Sequence, residues 1–462
     1  MPLNYHIALG TYHKYTEKLH SKYGPVVRVG HNQVSVSCIT ELKRILSTHT
    51  FPKGLIYDTS RSVAPNTFST SDPNLNKLRR KQMGNAYSLL SVRLYEDKVL
   101  EHGALSLISL WDKQIASSPS KDKALVNFHH GLHGMAYDII GILGFGESFN
   151  ILATGDTKII DSVLQFIKLA VIQAGVPYSE HLKPLLREWI DSRNYVLATI
   201  KNTIKKRRQE ICDSDLKNDA KHVDLLQRLI DARDPFTGES MDDESLIAEV
   251  SVLLVGGTDT TSNTLTWTVL CLLNRPDVYE RLKTEVRMAF PDKRTVIRSD
   301  DAKIRLPYLT AVLYEVMRLH PAVGGYLPRA VPKEGAHLVN GEYFIPHGTE
   351  ICVSLFACHR NKDTWNNPTE FDPDRFMGPD SEERIKDVLV FSSGVRICAG
   401  RHLAIVELYT ALANLILRYD FKLPDGKEPC RHSVAEIPGS AYLNYSPNNA
   451  DKECWMTVSL AK

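Results

Sequence analysis

The chain contains no run of roughly 18 consecutive apolar residues, so no segment of it reads as a membrane-spanning helix. Its first residues lack the charged stretch followed by an apolar one that marks a cleaved secretory signal. It has no C-x-x-C pair. The eight cysteines (Cys38, Cys212, Cys271, Cys352, Cys358, Cys398, Cys430 and Cys454) are scattered, unlike the dense spacing of a zinc ribbon or a disulfide framework. A reducing compartment is expected. Charge imbalance is also missing: 56 basic against 54 acidic residues leave a net +2, which gives no electrostatic reason to expect a nucleic-acid partner. Internal repeats, low-complexity tracts and long Gly/Pro/Ser linkers are absent as well, so residues 1–462 are expected to form one domain.

What is present is an ordinary soluble composition, 43% hydrophobic and 24% charged, over 462 residues, enough for a large core. "GPVVRVGHNQVSVSC" alternates apolar and polar residues and predicts a β-hairpin turning near Gly30, His31 and Asn32. From about residue 72 to 320 the periodicity is mostly helical. Beyond Pro321 the sequence is turn-rich and strand-like to about 355, and a last long helix follows Gly400. The fold class expected is mainly α with small β-sheets at the two ends. "KKRR" at 205–208 ends a helix-like run and is expected to be a solvated last turn rather than an address.

Two stretches carry chemistry. In "FSSGVRICAGRHL", Cys398 lies in a loop with Phe391, Gly394, Arg396 and Gly400, just before an apolar helical pattern. Taken alone, such a cysteine is a buried thiol, half of a disulfide, a nucleophile or a metal ligand. The second stretch, residues 240–276, predicts a helix of about 30 residues, roughly 45 Å long, opened by the S-x-x-D signature of Ser240 and Asp243 and stopped at Pro276. Its middle reads Gly256-Gly257-Thr258-Asp259-Thr260-Thr261 where a core helix would carry Leu or Ala. Each glycine costs about 1 kcal/mol against alanine, and threonine hydroxyls compete for the i−4 carbonyls. Such a weak point marks either a site for a small ligand and water or a Gly-Gly packing notch with a solvent-facing Asp.

The loop fits F-x-x-G-x-R-x-C-x-G at every specified position and resembles the haem-thiolate loop of cytochromes P450; the helix centre resembles that family's A/G-G-x-D/E-T-T/S motif. The resemblance runs in order from "LHSKYGPVVRVG" to "YLNYSP" and is strongest to microsomal, filamentous-fungal members. It implies the P450 fold, with haem b between the long central helix and the cysteine loop. Cys398 would be the iron's axial ligand, with Phe391 shielding it and Gly394 and Gly400 letting backbone approach the porphyrin. A thiolate ligand pushes electron density onto the iron and favours O–O cleavage. Arg396, Arg329 of "GGYLPRAVP" and Arg80 of "LNKLRRKQMGNAYS" would reach the propionates, although Asn76 stands at the family's Trp/His position. Lys77, Arg79 and Lys81 beside it are expected to be a solvated face rather than a dock for a redox partner. Asp259 and Thr260 would deliver the protons consumed in O2 reduction. Glu315 and Arg318 of "YLTAVLYEVMRLHP" would join Arg375 of "FDPDRF" in a structural triad, Asp374 replacing the commoner Glu.

The activity implied is monooxygenation, with O2 and with electrons from a separate NADPH-cytochrome P450 reductase, cytochrome b5 being a further candidate donor. Segments 55–70, 160–180, 322–326 and 437–444 would line the pocket. They include Ile56, Tyr57, Phe68, Leu164, Phe166, Ile167, Val323 and Tyr326, with few fixed charges. A medium-sized hydrophobic substrate of fungal secondary metabolism (terpenoid, polyketide or alkaloid) is expected, with a small aromatic acid as runner-up. A reductase-independent isomerase or dehydratase is the rival activity. A non-catalytic haem sensor would lack Asp259 or Thr260. A monomer is expected. Microsomal relatives begin with an anchor helix and a Pro-rich hinge, and this chain starts after both would have ended. The implied location is therefore the cytoplasmic side of the endoplasmic reticulum if an anchor is missing, with peripheral membrane contact, and the cytoplasm otherwise.

Overall fold

A computed structural model describes residues 2–59, 63–175, 184–213, 223–430 and 433–461. Helices dominate between Pro73 and Leu319, as the periodicity predicts. One strand interrupts them. Lys123–Asn127 pairs antiparallel with Trp455–Leu460, which also pairs with Tyr419–Lys422. The expected N-terminal hairpin forms from Val26–Arg28 and Gln33–Val36. It extends into a four-stranded sheet, because Gln33–Val36 runs parallel to Glu350–Val353, which in turn takes Pro328–Ala330 as an antiparallel edge.

The central helix spans Asp243–Asn274. Asp242 caps it, its carboxylate accepting from the Ser245 N–H at 2.8 Å, so the cap lies between the two residues of the predicted signature. An Asp at this position satisfies one of the orphan N–H groups of the first turn. Ser240 instead bridges to Arg233, and Pro276 opens the next helix, Pro276–Ala289, rather than merely ending this one. Nearly all of the central helix is buried, as its apolar composition requires.

Its main neighbour is the helix Phe128–Gly144, and glycines set the approach. A Cβ on Gly257 would stand 2.6 Å from Ile140 Cδ1, and one on Gly144 would stand 2.7 Å from Leu253 Cδ2. Gly257 is therefore a packing notch. Gly256 is the opposite: it is exposed, and a Cβ there would meet nothing within 4 Å. The two readings of the Gly-Gly pair both hold, one for each glycine. The helix remains α-helical throughout. Thr258, Thr260, Ser262, Thr264, Thr266 and Thr268 each return a hydroxyl proton to the i−4 carbonyl at 2.7–3.0 Å. The hydroxyls are thus satisfied without breaking the ladder.

"KKRR" departs from expectation. The helix Arg187–Asp213 continues past it, and Arg207 is buried in a two-pronged bond to Asp224, at 2.9 and 3.1 Å. A guanidinium fork matched to a carboxylate can be buried where a lone cation could not.

Candidate active site

The cysteine loop is a chain of short turns held from below. Ser392 N–H donates to Leu389, Ile397 to Gly394, and Cys398 to Phe391 O at 2.8 Å. Gly394 adopts φ +58°, and a Cβ there would lie 2.3 Å from Ser47 Cα. The neighbouring helix Ile39–Ser47 and the left-handed turn both call for glycine here. Gly400 does leave open space, with nothing within 4 Å of a Cβ, and it is the N-cap residue of the helix Arg401–Arg418. Phe391 is half-buried beneath the Arg401 guanidinium, 5.9 Å from the ring centroid.

The Cys398 side chain is accessible, unlike the buried Cys271, Cys352, Cys358 and Cys454, and all eight cysteines are free thiols. Burial by the surrounding protein nevertheless pushes its thiol above the usual value, while the Gly400 N–H, Arg80 and Arg401 favour the thiolate. The sulfur thus lies on the floor of a recess rather than on the outer surface.

Cations rim this recess. Arg80 donates to Ile397 O of the cysteine loop, and its Nε is buried without a partner. Arg396 is buried and donates to Thr70 O (3.0 Å) and Thr67 O (3.5 Å). Arg329, buried on the sheet edge, donates to Phe51 O at 3.3 Å. Arg396 is lowered to about 10, first by burial and then by Arg329 and Arg80. Among the described residues none of the three forms an ion pair, so like charges are held together in a poorly solvating place. Such a cluster suits an anionic group bound between them. Asn76 is wholly buried and donates to Thr67 O at 3.1 Å, so it braces the loop that Arg396 grips. Arg79 is no part of a solvated face: it is buried, bonded to Gln82 and Ser245. Lys77 is exposed, and Lys81 lies 4.8 Å from the Phe236 ring centroid.

On the central helix, Thr260 is half-exposed one turn beyond the open Gly256, whose carbonyl accepts its hydroxyl proton at 2.7 Å. Asp259 turns the other way. It is buried, accepting from Tyr137 Oη at 3.3 Å and Asn444 Nδ2 at 3.5 Å, and burial raises it to about 6 despite both bonds. It is not the solvent-facing Asp of the packing alternative, and it does not share Thr260's open face.

The three residues that the resemblance joins in a triad are in contact. Glu315 accepts from Arg318 Nε (2.7 Å), Arg318 Nη2 (2.8 Å), Arg375 Nε (3.2 Å) and Asp372 N–H (2.8 Å). Arg318 also donates to the carbonyls of His359, Pro368 and Glu370. Asp374 faces outward to Arg281.

Two site residues escaped the sequence. His359 lies between triad and loop, its Nδ1 3.1 Å from Arg318 O and its Nε2 3.2 Å from Leu389 N. A carbonyl on one side and an N–H on the other fix the neutral Nδ1–H tautomer. Burial and then Arg318 lower it to about 3. Glu249, on the central helix, accepts from Thr67 N (2.8 Å) and Thr67 Oγ1 (3.0 Å), and burial raises it to about 7. An acid within the apolar run "SLIAEVSVLLV", ten positions before Asp259, was the available signal.

Of the expected pocket residues, Phe68 and Leu164 keep open surface and Ile56 and Val323 are half-buried. Tyr57, Phe166 and Ile167 are buried. Tyr326 packs edge-on to Tyr12 and donates to Glu350 at 2.8 Å, in a cluster with Leu3, Val27 and Val29. Residues 60–62 and 176–180 of the expected lining lie outside the described residues.

A long, mostly buried helix with an open turn, an accessible cysteine and a group of unpaired arginines are the features of this site. The comparisons give that site its family. The cytochrome P450 model matches residues 3–443, and the chain belongs to the cytochrome P450 family, whose cofactor is haem. It is a P450 monooxygenase of fungal type. It is 28% identical to cytochrome P450 monooxygenase helB1 of Aspergillus fumigatus over 95% of this chain and 76% of that one. It is 29% identical to helB2 of the same organism, over 95% and 87%. It is 30% identical to cytochrome P450 monooxygenase atnE of Emericella nidulans, over 91% and 83%. Among the described residues no helix is long and apolar enough to cross a membrane.

Proposed function

We propose that Cys398 is the axial thiolate of the haem and that the chain hydroxylates, or otherwise oxidises, a medium-sized hydrophobic molecule of fungal secondary metabolism. The observation that carries this reading is the placing of an accessible thiol, with the Gly400 N–H, Arg80 and Arg401 opposing the rise that burial imposes on it, near arginines that form no ion pair among the described residues. Haem supplies the activation of O2, so that one oxygen atom enters the substrate while the other leaves as water. Arg80, Arg329 and Arg396 would hold the two propionates, charge-assisted contacts that also relieve the repulsion among the arginines. Phe391 and the Gly400 amide would keep the thiolate dry and tune its basicity.

Thr260 would hold a proton-donating hydroxyl at the open turn, exchanging its bond to Gly256 O for one to substrate oxygen or water. Asp259, raised to about 6, is tuned to take up and give a proton near neutrality. Its carboxyl must rotate away from Asn444 and Tyr137 to reach that face. Glu315, Arg318 and Arg375 position the cysteine loop rather than touch substrate.

Electrons would come from a separate NADPH-cytochrome P450 reductase, with cytochrome b5 as an auxiliary donor, and the cytoplasmic face of the endoplasmic reticulum would be the meeting place. We read residues 1–462 as one P450 domain. Phe68 and Leu164 offer substrate apolar surface. The test has two parts. The CO-bound ferrous protein should absorb at about 450 nm, the signature of a thiolate-ligated haem, and Cys398→Ser should lose that band. NADPH should be consumed in step with product only when reductase and substrate are both present; turnover without reductase would favour the isomerase or dehydratase reading.

A further inference from the structure

Lys53 belongs to no motif, yet it is among the least expected residues in the core. Its side chain is 8% exposed. Its ammonium lies 4.0 Å from the Tyr57 ring centroid and 3.8 Å from that of Phe68, two rings that meet edge to face at 5.5 Å. Lys53 bridges antiparallel to Arg329. Residues directly opposite in an antiparallel pair project to the same side, so the ammonium and the guanidinium address the same space. No carboxylate among the described residues lies within ion-pair distance of Lys53. The nearby acids are otherwise engaged: Glu350 accepts from Leu55 N–H and Tyr326, and Asp72 caps the helix Pro73–Met83. Burial first, then Arg329, Arg396 and Arg80, lower its pKa well below the usual lysine value.

A buried ammonium beside three arginines is costly unless something anionic joins them. Two aromatic faces reduce the cost of holding the charge, since a ring face attracts a cation most where water is excluded. They also fix the long side chain in one direction. Asn76 cannot contribute an additional cation, and its amide is already spent on Thr67. We propose that Lys53 is a carboxylate-binding residue, acting with Arg329 as a two-cation clamp held open by Tyr57 and Phe68. The carboxylate has two chemical sources: a propionate of the haem, which would make Lys53 a cofactor-positioning residue, or an acid group on the substrate, which would make the substrate an amphipathic carboxylic acid. The proposal rests on the haem-thiolate reading.

Holoenzyme carrying Lys53→Met, Lys53→Arg or, as a control on an exposed charge, Lys77→Met is compared with the parent in two measurements. One is the rate of haem transfer to excess apomyoglobin. The other is spectral titration with dodecanoic acid and its methyl ester. Methionine packs between rings as lysine does, so the box should persist. If the source is a propionate, K53M loses haem about tenfold faster or more, as removal of one charge-assisted bond requires, while K53R and K77M stay near the parent. If the source is substrate, haem transfer is unchanged, and the parent's preference for acid over ester, about tenfold or more by the same bond, disappears in K53M. Haem transfer within about twofold of the parent, together with an unchanged acid-to-ester ratio, overturns the proposal. Should K53M not accumulate as holoenzyme, Phe68→Leu removes a partly exposed wall of the box; a two- to threefold effect in either measurement is expected from the weakened cation–π contact, and none overturns the clamp. The CO-bound ferrous spectrum of each protein separates the two levels: loss of the thiolate band in the parent defeats the haem-thiolate reading, whereas its retention with no lysine effect defeats only the clamp.

Discussion

Glu315→Gln is isosteric and removes one charge from a network in which Glu315 and Arg318 are wholly buried. Two carboxylate oxygens accept four bonds, three from guanidinium N–H groups and one from the Asp372 amide. Glutamine offers one acceptor oxygen and turns an NH2 toward donors, so at least one donor is left facing another. Arg318 and Arg375 also lose their common counter-charge. Breaking a buried ion pair from one side costs about 3–5 kcal/mol, because the surviving charge stays buried. With about 2.1 cal/mol/K of unfolding entropy per residue over 462 residues, such a loss lowers a global midpoint by about 3 to 5 °C.

The functional loss should come earlier, since the damage is local. Arg318 Nη1 donates to the His359 carbonyl, His359 receives the Leu389 N–H, and Leu389 O receives the Ser392 N–H where the cysteine loop begins. The assay is the fraction of haem that keeps the thiolate-type CO spectrum after incubation at stepped temperatures, at equal haem loading. As a control, Lys427→Ala breaks an exposed pair with Glu453, which should be worth under about 1 kcal/mol. A Glu315→Gln midpoint within about 1 °C of the control would refute the claim that this network holds the loop.

The remaining expectations concern the relay and the central helix. His359→Leu should weaken thiolate retention more than overall stability, because it strips the acceptor from Leu389 N–H; equal shifts in near-UV circular dichroism and in the CO spectrum would count against this. His359, lowered to about 3, contributes stability that is complete above its ordinary 6.5 and lost as pH falls from there toward 3, at up to about 1.4 kcal/mol per pH unit. His13, also lowered to about 3 by burial, acts in the same direction, so denaturation midpoints should fall steeply below about pH 6. Asp259 has the opposite sign: raised to about 6, its neutral form favours the fold at low pH and that contribution is lost as pH rises from about 4 to 6. Asp259→Asn should therefore gain about 1–3 kcal/mol on the parent across that interval, read from urea midpoints, and a constant difference would contradict the assignment. Gly257→Ala should cost about 1–2 kcal/mol through its contact with Ile140, whereas Gly256→Ala should gain up to about 1 kcal/mol and alter substrate spectral binding.

How far the site was legible depended on whether its parts are local in the chain. The cysteine loop, the Gly256–Thr261 stretch and the Glu315–Arg318 pair are each contained in a few residues, and each stands where its spacing placed it. Arg375 was found through the phrase around it. Which of two adjacent cations is buried was not legible: Arg79 and Arg80 differ by 100° around one helix, and only the packing of that helix on Ser245 decides that Arg79 turns inward. Gly256 and Gly257 divide for the same reason, one facing Ile140 and the other open space. His359, Lys53 and Glu249 act on partners 30, 276 and 182 positions away, and no period or motif announces a contact of that range. The strand Lys123–Asn127 was missed because it finds its partner at the far end of the chain.

The same geometry ties the stability of this protein to its cofactor. Arg80, Arg329, Arg396 and Lys53 lie in one electrostatic neighbourhood, and Glu249, the buried acid that acts on Arg80, is raised to about 7 by burial, so it offsets that one charge only in part near neutrality. A dianion bound among these cations acts on the folded state alone, because the unfolded chain does not assemble the cluster, and it stabilises the fold by mass action in proportion to its affinity. Removing any one of the three arginines proposed to hold the propionates would therefore have two consequences of opposite sign. It relieves repulsion in protein without bound anion and weakens retention of the anion. A midpoint measured on a mixture of haem-loaded and haem-free protein averages these and can conceal both. The rim residues are consequently separable from the triad: Glu315→Gln should lower midpoints at every haem loading, whereas the effect of an Arg329 or Arg396 substitution should change sign between low and full loading.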